Sequence, residues 1–300
     1  MRWNSLLVLA ALATGAAADE FKEEPAARAL YDRMLKALGE AQSLYYDSAY
    51  RVEADGKESG RCTFSVWIRK PNLFRLEARK ANGAKAGTIV GDGRNLWLTW
   101  AGERPFFQSN EEKADWERSK LAVYLQEPAA PGHHSVAHKT SLLGAGMSMA
   151  VFNPSLFHGC PSSLDPYLDG VRGCGTEKRD GEICDGIEIS YMSHQRSVHV
   201  WLSRKDGLPR RLRQVVRVSS DIVSEEVWTN VRRDGPLDDA LFRWTPPDGW
   251  KRWRLPEPSE RMVGPGEPAP EFRLRNREGG KTALSDFRGK LVWLCLWRVG

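Results

Sequence analysis

The chain has 300 residues, of which 41% are hydrophobic and 28% charged, with a formal net charge of +5. This is globular composition with length for one large or two modest domains, which excludes a disordered or low-complexity protein. So small a basic excess is a solvated surface and excludes a nucleic-acid footprint.

Residues 1–18 read as a secretory signal. Arg2 gives the positive start, Leu6 to Leu12 the apolar core, and Ala16, Ala17 and Ala18 the small-residue cleavage site. The apolar run is too short to span a bilayer, and no later segment approaches the roughly 18 apolar residues a membrane helix needs. A soluble periplasmic or secreted mature chain, with no transmembrane span, is expected. Export bears on the five cysteines, because neighbouring thiols pair in oxidising compartments. Cys160, Cys174 and Cys184 lie in a Gly/Pro/Asp-rich stretch whose loops bring two of them together. One disulfide among the three is expected, and its connectivity stays open. The CxxC-like spacing that zinc prefers is absent, so no metal or cofactor is expected.

Residues 25–38 predict an amphipathic helix. Pro25 suits its first turn, Leu30, Met34 and Leu38 recur at helical spacing, and Gly39 suits its stop. Strands follow. Tyr45 to Ala54 runs into Asp55-Gly56, a two-residue hairpin signal. Cys62, Phe64, Val66 and Ile68 then alternate with Thr63, Ser65 and Trp67. Pro71-Asn72 turns the chain, Phe74, Leu76 and Ala78 alternate with Arg75, Glu77 and Arg79, and Gly91-Asp92-Gly93 leads into Leu96, Leu98 and Trp100. Trp116 to Leu125 predicts a helix, His133 to Ser141 a loop, and Leu142 to Phe152 an apolar segment of open type. Strands resume at Ser197–Leu202, Arg210–Val218 and Val223–Val231, where Leu212, Val216 and Val218 oppose Arg211, Arg213 and Arg217. From Pro246 to Pro270 the composition is that of a linker. One face of each strand is apolar and the other wet, which is the signature of an antiparallel sheet with a single covered face. The fold class is mainly β with helices (α+β).

Catalytic motifs are missing: there is no GxSxG elbow, HExxH, Walker loop or dinucleotide fingerprint. His133, His134 and His138 follow Pro131-Gly132 with no carboxylate or Cys to complete a metal site, so they read as loop surface, and His194 and His199 read as structural or exposed. The 12 Trp fill either a half-barrel core or a cavity for an apolar ligand.

Val66 to Glu77 (VWIRKPNLFRLE), then Val90 to Trp100 (VGDGRNLWLTW), then Asp238 to Trp250 (DDALFRWTPPDGW), in that order, resemble the LolA-like periplasmic lipoprotein carriers, the last of the three resembling that family's closing strand. The resemblance implies an unclosed antiparallel half-barrel with a helical lid over residues 19–255, whose concave face holds an acyl chain of a lipid or lipoprotein. It also implies a periplasmic protein partner, or a sensor role. The lining would be Phe64, Val66, Ile68, Phe74, Leu76, Leu96, Leu98, Trp100, Leu212 and Val216. Lys70, where that family usually has Arg, would contact the lid or a head group. After a linker at 256–265, residues 266–300 resemble the opening of a thioredoxin-fold redoxin: GEPAPEF from Gly266, a Gly279-Gly280 turn, LSDFRGK from Leu284, then an apolar strand at Leu291 to Trp297. That likeness implies, as the alternative function, a thiol–disulfide oxidoreductase or peroxidase with the front domain as adaptor. Its active-site thiolate would lie beyond Gly300, Cys295 would be inert inside the strand, and the tail would be loosely held and prone to aggregate.

Overall fold

A computed structural model describes residues 21–100, 122–126, 152–162, 164–217, 220–245, 251–253, 263–275 and 279–294. The expected signal segment, the three clustered histidines and Cys295 lie outside them. The chain divides into two compact units, Met1–Arg252 and Trp253–Gly300.

One α-helix, α1 (Pro25–Glu40), leads into β1 (Ser43–Ala54), β2 (Lys57–Arg69), β3 (Leu73–Lys80), β4 (Lys85–Asp92), β5 (Leu96–Trp100) and β6 (Ala122–Gln126). After two 3-10 turns, Pro154–His158 and Asp165–Tyr167, come β7 (Leu168–Arg179), β8 (Glu182–Tyr191), β9 (Arg196–Ser203), β10 (Pro209–Arg217) and β11 (Asp221–Arg233). A 3-10 turn at Asp239–Phe242 and β12 (Lys251–Trp253) complete the large sheet. Its order is β12-β6-β5-β4-β3-β2-β1-β11-β10-β9-β8-β7, an open run of twelve strands, with antiparallel pairing from β6 through to β7. The fold is therefore mainly β, built on a large unclosed antiparallel sheet, as the alternation predicts. The helical part is smaller than expected, one α-helix among the described residues.

Register shows why one face is buried. Directly paired residues share a face, and the rows Leu44–Ile68–Phe74, Tyr46–Val66–Leu76–Ile89 and Val200–Leu212–Glu226–Tyr50–Cys62 cross successive strands. All are buried. On the opposite face Arg172, Glu188, His199, Arg213, Glu225 and Arg51 stand in one row across six strands. Glu225 there accepts from Arg211 at 2.7 Å and Arg51 at 3.4 Å, and the Arg211 guanidinium lies 4.4 Å over the Trp201 ring. Such cross-strand pairs are what alternating Arg and Glu supply to a polar face, and here they cover Glu188 and Glu225, which are themselves buried.

Three sequence expectations are corrected. Residues 122–125, expected as the end of a helix, are strand paired to β5, where cross-strand pairing outweighs local propensity. Asp239–Phe242, inside the expected closing strand, is a 3-10 turn capped by the Asp238 carboxylate, which accepts from Ala240 N–H at 2.9 Å. The stretch around Cys174 and Cys184 is not loop but β7 and β8. Gly173, Gly175 and Gly186 are strand residues: a Cβ on Gly186 would lie 2.8 Å from Cys174 Sγ and 3.0 Å from Gly175 O.

In the second unit, β13 (Arg273–Arg275) pairs with β14 (Lys281–Ala283), and a 3-10 turn follows at Leu284–Phe287. The Gly279 turn forms as expected, with φ 83°. The apolar strand expected from Leu291 does not form over 291–294; these residues are irregular, and Leu291 and Trp293 are almost fully exposed. A thioredoxin core is not assembled by the described residues.

Candidate functional site

The apolar face is the candidate site, and α1 straps it. Burial of Ala27, Tyr31, Met34, Ala37 and Leu38 gives the helix one apolar stripe. Polar joints fasten both of its ends. At the start, Glu24 N–H donates to Val171 O at 2.8 Å and the Glu24 carboxylate accepts from Gly173 N–H at 2.9 Å, both on β7. At the far end, Lys70 Nζ donates to Gly39 O. The same ammonium lies 5.0 Å from the centre of the Phe157 ring. Lys70 thus ties together the helix end, the β2–β3 turn with its cis Lys70–Pro71 bond, and the Pro154–His158 turn.

A second joint holds the Phe152–His158 segment against the face. Phe152 packs edge-on to Trp228, with ring centroids 4.9 Å apart, and Trp228 stacks on Tyr46 at 3.7 Å. The buried Glu226 carboxylate accepts from Phe152 N–H at 3.2 Å and from Trp228 Nε1–H at 3.0 Å. Sequence reasoning missed both Trp228 and Glu226. Val223 to Val231 reads as an ordinary alternating strand, and nothing in it separates a buried Glu from the exposed kind.

The expected lining residues Phe64, Val66, Ile68, Phe74, Leu76, Leu96, Leu212 and Val216 are all buried. Register places Phe64, Val66, Ile68, Phe74, Leu76, Leu212 and Val216 on the strapped face. The backbones of Leu98 and Trp100 are in register with Ile89 and Gly87; their side chains lie outside the described residues. Among the described residues, five buried polar atoms on this face have no hydrogen-bond partner: the Tyr46 phenol oxygen, Ser48 Oγ, Arg196 Nε, Gln214 Oε1 and Ser224 Oγ.

The cysteines do not form the expected bridge: Cys160, Cys174 and Cys184 are free thiols. Cys184 is in register with Glu177, three positions along β7 from Cys174. At about 3.3 Å per residue the two backbones are about 10 Å apart, and a disulfide spans less than about 7 Å. Burial pushes the Cys174 thiol up to about 11 and Cys62, on the apolar face, to about 12. Neither is a thiolate near neutrality.

At the Lys70 joint, burial and the Lys70 charge push the His158 imidazole down to about 4, against the opposing effect of a hydrogen bond that the ring donates to the Pro71 backbone carbonyl. An unfolded histidine titrates near 6.5. Between those values the unfolded chain binds the extra proton, so stability is full above pH 6.5 and falls as the pH drops towards 4. Urea midpoints measured from pH 7 to 4.5 should decline in wild type and decline less in His158→Gln. Equal slopes would show that His158 carries no part of the acid sensitivity.

No family model matches the chain, and a search of curated proteins finds no match. Solved structures do match. An uncharacterised conserved protein from Thermus thermophilus is 12% identical with a TM-score of 0.44, covering 76% of this chain and 99% of its own. Lipoprotein LppX of Mycobacterium tuberculosis is 12% identical with a TM-score of 0.41, covering 72% and 99%. A LolA superfamily protein from Nitrosomonas europaea is 12% identical with a TM-score of 0.30, covering 73% and 97%. All three fall below a TM-score of 0.5, so what this chain holds follows from its own residues. The redoxin likeness of the tail has no counterpart among them.

Proposed function

We propose that residues 19–255 form an exported container that holds an acyl chain of a lipid or lipoprotein against the strapped face of the sheet. One observation carries this reading. The face is apolar and buried, yet its Tyr46, Ser48, Gln214 and Ser224 oxygens go unsatisfied. A core meant only for self-packing pairs its buried polar atoms; a face that receives a guest leaves some for the guest. The strap supports the same reading, because α1 is pinned at its ends by hydrogen bonds that can be undone. The LolA-like motifs agree with it.

No covalent step is involved. Binding draws on roughly 0.8 kcal/mol per buried methylene, so affinity should rise about fourfold for each methylene added to a saturated chain. Titration with fluorescent fatty acids of increasing length, alongside mass spectrometry of an organic extract of the purified protein, tests this. Saturable one-to-one binding that tightens with length is expected. No extractable lipid and no saturable binding would sink the proposal.

A further inference from the structure

Arg196 opens β9 and is paired with Tyr191 on β8 and Val216 on β10. It therefore shares the face that Val216 helps to line. Its Nε is buried and has no hydrogen-bond partner. None of the described carboxylates forms an ion pair with it, and burial is the sole influence on its pKa, which it lowers. Asp165 and Arg28 act on the neighbouring Tyr191 and Tyr31 phenols, but neither acts on Arg196. A half-buried guanidinium without a counter-ion is costly, and proteins keep such groups where an anion arrives to meet them.

The next row of the same face, one step into the sheet, holds Gln214 directly opposite Ser224. Both side chains are more than nine-tenths buried, and Gln214 Oε1 and Ser224 Oγ are both unpartnered. Although they face each other, they do not bond to one another. Beyond them Val200 and Leu212 lead on to Phe64, Val66 and Leu76, and the carboxylate in that row, Glu226, is engaged by Phe152 N–H and Trp228 Nε1–H. A cation, two hydrogen-bonding side chains and then apolar surface thus follow one another along adjacent strands.

We infer that Arg196, with Gln214 and Ser224 beside it, receives the acid group of an anionic amphiphile whose tail lies along the apolar face. This rests on the reading of that face as an acyl-chain site and adds the chemistry of the head. The guanidinium presents a fork of N–H donors that suits a carboxylate or a phosphate. Ser224 O–H donates to a further head-group oxygen, and where the head group carries a hydroxyl, as in a lysophospholipid, Gln214 Oε1 accepts from it. The ligand class is an acid lipid such as a fatty acid or a lysophospholipid, not a neutral glyceride or a hydrocarbon.

The experiment compares hexadecanoate, hexadecyl phosphate and hexadecanol by displacement of a fluorescent C16 probe at pH 8, with acetate and inorganic phosphate as tail-less competitors. Wild type should prefer the two acids over the alcohol by about tenfold or more, the worth of a charge-assisted hydrogen bond. The tail-less anions should fail to displace the probe. Arg196→Gln should erase the preference and leave hexadecanol affinity unchanged, and Arg196→Lys should retain part of it. If wild type binds acid and alcohol equally, the head-group site is wrong and the container stands. If no C16 compound binds, the container and the head-group site fall together. If Arg196→Gln weakens acid and alcohol alike, the residue is structural only. Displacement by acetate or phosphate would make it a free-anion site and overturn the amphiphile. Because the acid-to-alcohol ratio is read on wild type, the inference remains testable even if the variants fail to fold.

Discussion

Replacing Trp228 with Ala should lower the unfolding free energy by about 3–5 kcal/mol, the cost of emptying a large buried aromatic site. For a domain of this size that is a fall in Tm on the order of 10 °C. The ring is fully buried between Tyr46, stacked at 3.7 Å, and Phe152, edge-on at 4.9 Å. Its loss removes two aromatic pairs, each worth about 0.5–1.5 kcal/mol beyond area. It also takes away a donor to the buried Glu226 carboxylate. Trp228→Phe separates these effects in part, since it keeps a six-membered ring in the stack while removing the Nε1–H donor and the pyrrole half of the indole. It should therefore cost about 1–3 kcal/mol. Chemical denaturation of both variants checks the order. Equal losses would mean that the hydrogen bond, not the aromatic packing, dominates the site.

The part of the sheet legible in the sequence was the part that obeys a period of two. Cys62 to Ile68 and Phe74 to Ala78 alternate cleanly, and the structure buries the expected side of each. Asp55-Gly56 announced a hairpin, and both residues adopt positive φ, 51° and 72°, as a two-residue turn requires. The same signal was present and unread at Asp180-Gly181, with φ 47° and 82°, where β7 turns into β8. Those strands were hidden by their composition. Gly173, Gly175 and Gly186 look like loop residues, but close approach of Cys174 and Trp201 leaves no room for a side chain at Gly186. β4 was hidden for the opposite reason. Ala86 to Gly91 is buried without a break, so it shows no alternation to detect.

The site was legible only as grease. Periodicity finds Phe64, Val66 and Leu76 because apolar residues recur, and it places Arg196, Gln214, Ser224 and Glu226 nowhere. A polar residue at a position of inward parity looks like noise in a single strand. It becomes informative only when register sets it beside others from neighbouring strands. The resemblance carried Lys70 to the lid, and the structure places its ammonium on the carbonyl of Gly39. Its mechanism there is that of a point donor, which suits a single carbonyl and needs no guanidinium fork.

Glu226 sets up the second large effect. Its two oxygens accept from two different donors, Phe152 N–H at 3.2 Å and Trp228 Nε1–H at 3.0 Å. Glu226→Gln keeps one carbonyl oxygen and turns an amide NH2 towards the other donor, so one donor loses its acceptor. Glu226→Leu strips both. Each buried donor left unpaired costs about 1–3 kcal/mol. Removing the carboxylate also relieves its own desolvation, which returns part of that loss. The net expectation is a destabilisation of about 2–4 kcal/mol for Leu and about half that for Gln. The location of the damage matters more than its size. Because Glu226 is the anchor of Phe152, amide exchange should speed up over 152–158 in Glu226→Leu before it does in β1 or β11. Should Glu226→Leu prove as stable as wild type, with 152–158 equally protected, the segment is held by the Phe152–Trp228 aromatic contact alone and the carboxylate is not its latch.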